Sequence, residues 1–251
     1  MQRILLSSIL CVGLFSALSC SKGSESNDLA KAQKCLDDVP NGDYDGAKNC
    51  LSLVKDYTSQ QAEILRCSIL LASGGLMEDK IVKAANTFKN DSSQTNKTAA
   101  YMAALALTYP TPSDGYDTAV NADQYCQATN IKGYQYLSGL VVAGSFMNKI
   151  AGGATGIDIT DPNAAQNAIN TLIADCVTTP TATCTDNIGA LGGAAENLAN
   201  SYCNQSNADP NVCNQVNGAI TSSGGSQEAA GQALLCYLNN KTYSASDGQC
   251  H

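Results

Sequence analysis

The chain has 251 residues, with 14 Lys and Arg against 22 Asp and Glu, a net charge of −8, no Trp and an aromatic content of 6%. An acidic balance of this size excludes a nucleic-acid binder, which needs basic patches, and a surface built to grip anionic lipid headgroups. Few aromatics and many alanines favour helices over sheet, and some 230 residues beyond the N-terminal segment suffice for one or two domains.

Residues 1–19 have the order of a secretory signal peptide. Arg3 supplies the positive start, and Ile4 to Leu18 is apolar apart from Ser7, Ser8, Gly13 and Ser16. Ala17 and Ser19 then place small residues three and one positions before Cys20. The apolar run is too short to span a bilayer, which takes about 20 residues. Ser19-Cys20 resembles the end of a bacterial lipobox, in which the cysteine is acylated and becomes the mature N-terminus. The usual Leu at the third position before it is Ala17, with Leu18 one place late. An ordinary secretory cleavage therefore stays open. The resemblance implies a palmitate-bearing lipoprotein of the cell envelope. Ser21 after the cysteine, rather than Asp, implies the outer membrane, at its periplasmic face or on the cell surface. Processing removes Arg3 alone among the charges, leaving 13 basic against 22 acidic side chains, net −9. Ser21 to Asn27 is polar and small, and reads with Cys20 as a flexible tether over 20–27 reaching at most about 25 Å.

Helical periodicity then runs along residues 28–150. Leu29, Ala32, Leu36 and Val39 mark a short helix. Ala47, Cys50, Leu51 and Val54 mark the next, and Ala62, Leu65, Ile69 and Ala72 a third. Ile81, Val82, Ala85 and Phe88 give a fourth, followed by Ala99 to Leu107, Ala119 to Cys126, and Tyr136 to Met147. The last is apolar but short and ends at Lys149, so it reads as a core helix rather than a membrane span. No strand hairpin with alternating flanks is visible.

Gly42, Tyr44 and Ala47 carry a Gly, aromatic, small spacing between two helices. Gly75 follows 33 residues after Gly42, and Gly115-Tyr116 with Ala119 repeats the turn imperfectly. Over residues 28–128 the chain thus resembles tetratricopeptide helix-hairpin repeats. The unit around Gly75 lacks the aromatic. The expected fold is all-α, either antiparallel helix hairpins in such an array or an irregular helical bundle, stapled by disulfides.

Gly152 to Gly156 reads as a hinge, after which 157–251 forms a Cys-rich helical region. Asp161-Pro162 opens one helix, Thr178 to Thr185 is a loop, and helices follow at about 186–203, 210–221 and 226–240, the second opened by Asp209-Pro210.

Of 12 cysteines, Cys11 leaves with the signal. If Cys20 carries lipid, an even set remains: Cys35, Cys50, Cys67, Cys126, Cys176, Cys184, Cys203, Cys213, Cys236 and Cys250. Residues equidistant from a hairpin turn face each other. Cys35 and Cys50 centre on Gly42-Asp43, and Cys203 and Cys213 on Ala208. Cys176 and Cys184 flank Pro180, with Cys203 as a competing partner. Cys236 with Cys250 and Cys67 with Cys126 are then what remains. So many pairs require an oxidising compartment such as the periplasm or the cell exterior.

Catalytic chemistry is poorly supplied. The single histidine, His251, is the last residue, where chain ends fray. No HExxH, CxxC or GxSxG occurs, and Gly152 to Gly156 lacks the P-loop lysine. Asn41, Asp43, Asp45 and Gly46 mimic half a calcium loop, but Ser52 stands where the bidentate Glu is needed. Asn90, Asn96, Asn204 and Asn240 begin Asn-x-Ser/Thr triplets, glycosylation candidates only in a eukaryotic secreted protein. The sequence therefore reads as a non-catalytic protein–protein interaction module on a lipid tether. It has no cofactor, no metal and no nucleic-acid partner; its contacts are the membrane, through the lipid, and a protein partner. The alternative is a surface-displayed adhesin or structural envelope protein.

Overall fold

The computed structural model describes residues 23–251 apart from 91–95, 154–155, 159–160, 162, 207 and 209. The signal segment, Cys20, Ser21 and Lys22, Pro162 and Asp209 lie outside the described residues. Helices dominate. In chain order they are α1 Gly23–Asp37, α2 Tyr44–Asn49 with a 3₁₀ turn Cys50–Leu53, α3 Gln60–Ser73, α4 Glu78–Asn90, α5 Lys97–Leu105, α6 Pro112–Ala128 and α7 Lys132–Ala151. Then come α8 Ala164–Ile173 with a π turn Ala174–Thr178, α9 Ala182–Thr185, α10 Ile188–Leu198 with a π turn Ala199–Cys203, α11 Pro210–Ser222 and α12 Gln227–Leu238. Two short antiparallel strands, β1 Tyr243–Ser244 and β2 Gln249–Cys250, close the chain, Tyr243 opposite Cys250.

Local chemistry sets the helix starts. The side chains of Asp43, Ser59, Asn96, Thr111, Thr181 and Ser226 each accept a backbone N–H from their helix's first turn. These caps satisfy donors that have no partner inside the helix. Pro112 occupies the first turn of α6, where its missing N–H costs nothing. Gly42 and Gly75 sit in turns at φ +91° and +104°, a conformation that L side chains rarely adopt.

The bundle is organised around α7. Ser138 to Asn148 is buried without interruption, and α5, α6, α8 and α10 all pack on this helix. Gly144 makes the closest approach, since a Cβ there would stand 1.9 Å from the Met102 carbonyl oxygen. The Ser145 hydroxyl accepts the Leu107 N–H at 2.8 Å, fixing the end of α5 against α7. One apolar cluster runs from Cys67 to Tyr243, including Leu105, Phe146, Ile169, Leu191 and Leu234. A second, smaller cluster of Ala32, Cys50, Val54, Leu65 and Ile69 holds α1 and α2 against α3.

Four sequence expectations change. The polar run expected to be a tether is helical from Gly23, because Asp28 and Leu29 already tie the first turns to the body. The hinge at Gly152 to Gly156 does not separate two cores, since the main cluster draws on both sides of it. The fold is the irregular bundle, not a repeat array. In an array each unit touches only its neighbours, whereas α3 packs directly on α6, and α4 packs chiefly on α5. Gly115 is no turn glycine either. It lies inside α6, where a Cβ would meet the Leu107 carbonyl oxygen at 2.2 Å, so its role is close packing.

The first half has two poles. The α1 start, the turn 54–59 and the loop after α6 share one. Here Tyr57 Oη donates to Asp28 Oδ2 at 2.7 Å, and Gln60 Nε2 donates to the Thr129 carbonyl at 2.6 Å. At the opposite pole the turn 40–43, Gly74-Gly75 and the loop 106–111 meet. There the Thr108 and Tyr109 N–H groups both donate to the Gly74 carbonyl, at 3.1 and 3.3 Å.

Candidate functional site

The ten cysteines from Cys35 to Cys250 form five disulfides. Cys35–Cys50, Cys67–Cys126, Cys176–Cys184, Cys203–Cys213 and Cys236–Cys250 have Cα separations of 5.8, 5.0, 5.3, 5.4 and 5.4 Å. Cys35–Cys50 closes the α1–α2 hairpin as the turn symmetry requires. Cys67–Cys126 joins α3 to α6, and Cys236–Cys250 ties β2 back to α12. The Thr178 to Thr185 loop is partly helical: Thr181 caps α9, which brings Cys184 back to Cys176.

The most distinctive surface lies at the pole where the turns 40–43, 74–75 and 106–111 meet. The Tyr44 and Tyr109 rings are tilted against each other with centroids 4.6 Å apart. A Cβ on Gly75 would stand 3.8 Å from the Tyr44 ring, so the glycine turn lies beside the pair. Tyr109 Oη donates to Asp45 Oδ2 at 2.9 Å, and this bond holds the phenol above its ordinary pKa. Asp43 is engaged as the α2 cap, its Oδ1 accepting the Gly46 N–H at 2.9 Å. Both carboxylates of the calcium-like segment thus hold the protein's own donors. Among the described residues no three His, Cys, Asp or Glu side chains gather as a metal site.

Other chemistry-bearing residues also serve the fold. His251 Nε2 lies 2.9 Å from Asp247 Oδ2, and both side chains are exposed. The Ser244 hydroxyl, and after it His251, hold the Asp247 carboxyl below the usual carboxylate range. The carboxylate therefore stands between the serine and the histidine, whereas a nucleophile needs the base beside it. Contrary to the sequence expectation, this end is not frayed: His251 and Thr242 exchange two backbone hydrogen bonds of 2.9 Å. Asn96 Nδ2 donates to the Leu238 carbonyl at 2.7 Å and to Gln166 Oε1 at 3.3 Å, while its Oδ1 caps α5. A glycan on that nitrogen would have to break this link between α5, α8 and α12.

Two groups escape a sequence reading, the buried Arg66 and the half-buried Lys80. Arg66 is 5% exposed. It pairs with Glu63 Oε1 at 2.8 Å, donates to the carbonyls of Val54, Lys55 and Tyr57, and lies 5.3 Å from the Tyr125 ring centroid. Lys80 donates to the Ala106 carbonyl at the end of α5, and burial lowers its pKa to about 8. Its unfolded value is near 10.5, so between about pH 8 and 10.5 the unfolded chain binds more protons than the folded one. The Lys80 contribution to stability therefore rises with pH across that window. Tyr116 acts in the opposite sense above about pH 10, where the unfolded phenol ionises, because burial pushes its folded pKa up to about 12. Denaturant midpoints measured from pH 7 to 10 should climb, and Lys80→Met should flatten the climb. An unchanged slope in that variant would remove Lys80 as the source.

No protein-family model, no curated protein and no solved structure matches this chain.

Proposed function

We propose that this chain is a lipid-anchored envelope protein whose disulfide-stapled helical body is a non-catalytic protein–protein interaction module. The observation that carries the reading is the complete pairing of the ten cysteines from Cys35 to Cys250. It leaves Cys20, at the lipobox-like junction, with no partner among them. Five staples also fit an oxidising space outside the cytosol. Among the described residues no helix is long and apolar enough to cross a membrane. Attachment would then rest on the lipid.

The surface best suited to a protein partner is the pole bearing Tyr44, Tyr109 and Asp45. Tyrosine combines apolar area, a polar tip and few rotatable bonds, which is why it is enriched at interfaces. Radiolabelled palmitate should enter the wild type and not Cys20→Ala; equal labelling of both would end the lipoprotein reading. A Tyr44→Ala/Tyr109→Ala bait should lose envelope proteins that the wild-type bait retains. Display on the outer face, as an adhesin or structural component, is the second reading, favoured by the density of staples. Protease accessibility on intact cells separates the two.

A further inference from the structure

Resting on that lipid anchor, we infer that the pole formed by the α1 start, the turn 54–59 and the loop after α6 is held against the lipid headgroups, and that the Tyr44–Tyr109 pole points away from the membrane. The inference concerns orientation, which lipidation alone does not fix. A long flexible tether lets a body present any face. Here α1 begins at Gly23, only three Cα steps from Cys20, so the covalent reach is at most about 11 Å. Wherever the acyl chains enter the bilayer, the first turn of α1 must stay within that distance of Cys20.

The first turns of α1 are joined to the rest of the pole by specific contacts. Asp28 accepts the Tyr57 hydroxyl at 2.7 Å and pairs with Lys31 at 2.9 Å. Leu29 packs on the smaller apolar cluster, which α3 shares. Gln60, at the head of α3, bonds the Thr129 carbonyl. The α1 start therefore cannot approach the surface without carrying the turn 54–59 towards it. The other end of α1 stands about 22 Å away along a 15-residue helix.

Charge acts in the same direction. The far end of the α1–α2 hairpin carries Asp37, Asp38, Asp43 and Asp45 against Lys34 and Lys48. Lys34 is already paired with Asp38 at 2.8 Å. A net acidic end is repelled by anionic headgroups within a Debye length of about 8 Å, so the body is discouraged from lying flat with this end down. At the near pole Glu25, Asp28 and Asp56 are matched by Lys31, Lys55 and Lys132, the last exposed beside the α6–α7 loop. The lipid surface thus meets a balanced pole, and the tyrosine pole is left open to a protein partner.

The chain contains no Trp, so a single introduced one reports alone. Thr58 and Asn41 are exposed residues in turns at opposite poles. The lipidated Thr58→Trp and Asn41→Trp proteins would be placed in phosphatidylcholine/phosphatidylglycerol vesicles containing a nitroxide-headgroup lipid. Quenching of the Thr58→Trp protein should be several-fold greater than that of the Asn41→Trp protein. A Gly/Ser insertion of about ten residues between Lys22 and Gly23 should bring the two towards equality. Vesicle-bound proteins with equal or reversed quenching would overturn the orientation and leave the anchor standing. Protein without acyl label, failing to float with the vesicles, would overturn the anchor and the orientation together.

Discussion

Arg66→Met should destabilise the protein by about 3–5 kcal/mol, the cost of leaving a buried ion pair with one partner. The apolar volume is nearly conserved, so the loss would come from groups left without a donor. Glu63 would keep its carboxylate at a site where its side chain is 13% exposed and its Oε2 already lacks a partner. The carbonyls of Val54, Lys55 and Tyr57 would lose the guanidinium that gathers them. Lysine is no substitute, because one ammonium on a flexible stem cannot reproduce the planar fork that serves several acceptors together. Glu63→Gln should cost less, since an amide oxygen still accepts from Arg66 and no charge is stranded. The measurement is a urea midpoint at constant slope. A loss for Arg66→Met no larger than that for Glu63→Gln would show that Arg66 contributes packing rather than polar satisfaction.

The same residue marks where a sequence reading stops. The stripe Ala62, Leu65, Ile69 predicts α3 through its helical period, although burial extends around the helix to Ile64, Cys67, Leu70 and Leu71. Arg66 sits next to that stripe and reads as a solvated charge. Its burial depends on Tyr125, 59 residues away, and on a turn whose carbonyls happen to face it. Helices with one apolar face were legible for the same reason, including those expected at 210–221 and 226–240, which form as Pro210–Ser222 and Gln227–Leu238. Hairpin symmetry about a short turn gave Cys35–Cys50 and Cys203–Cys213. What was not legible is which distant helices meet. Gly115 shows the difficulty: a glycine beside Asp and Tyr looks like a turn, yet Thr111 and Pro112 have already begun a helix, and the missing Cβ makes room for the Leu107 carbonyl. The tyrosine pole was half visible. Tyr44 falls in the repeat-like Gly, aromatic, small spacing, but its partner Tyr109 lies beyond three further helices and carries no local signal.

Removing the Cys67–Cys126 disulfide, as Cys67→Ala/Cys126→Ala, should cost about 4 kcal/mol, against about 2.5 kcal/mol for the corresponding change at Cys176 and Cys184. The difference follows from loop length. The first bridge spans 59 residues and the second 8, and a longer closed loop removes more conformations from the unfolded chain. The native-state side adds a cavity at either bridge. Cys67 and Cys126 are fully buried at the contact between α3 and α6, on which the departure from a repeat array depends. Replacing both sulfurs with hydrogen leaves a gap there, and the cavity adds to the entropic loss. Cys176 and Cys184 are just as buried, in the same apolar cluster, so a cavity forms there too and loop length carries the difference. Paired denaturation curves decide the matter. Should the short-loop variant prove equally or more destabilised, the α3–α6 contact would be held by its apolar packing and not by the staple.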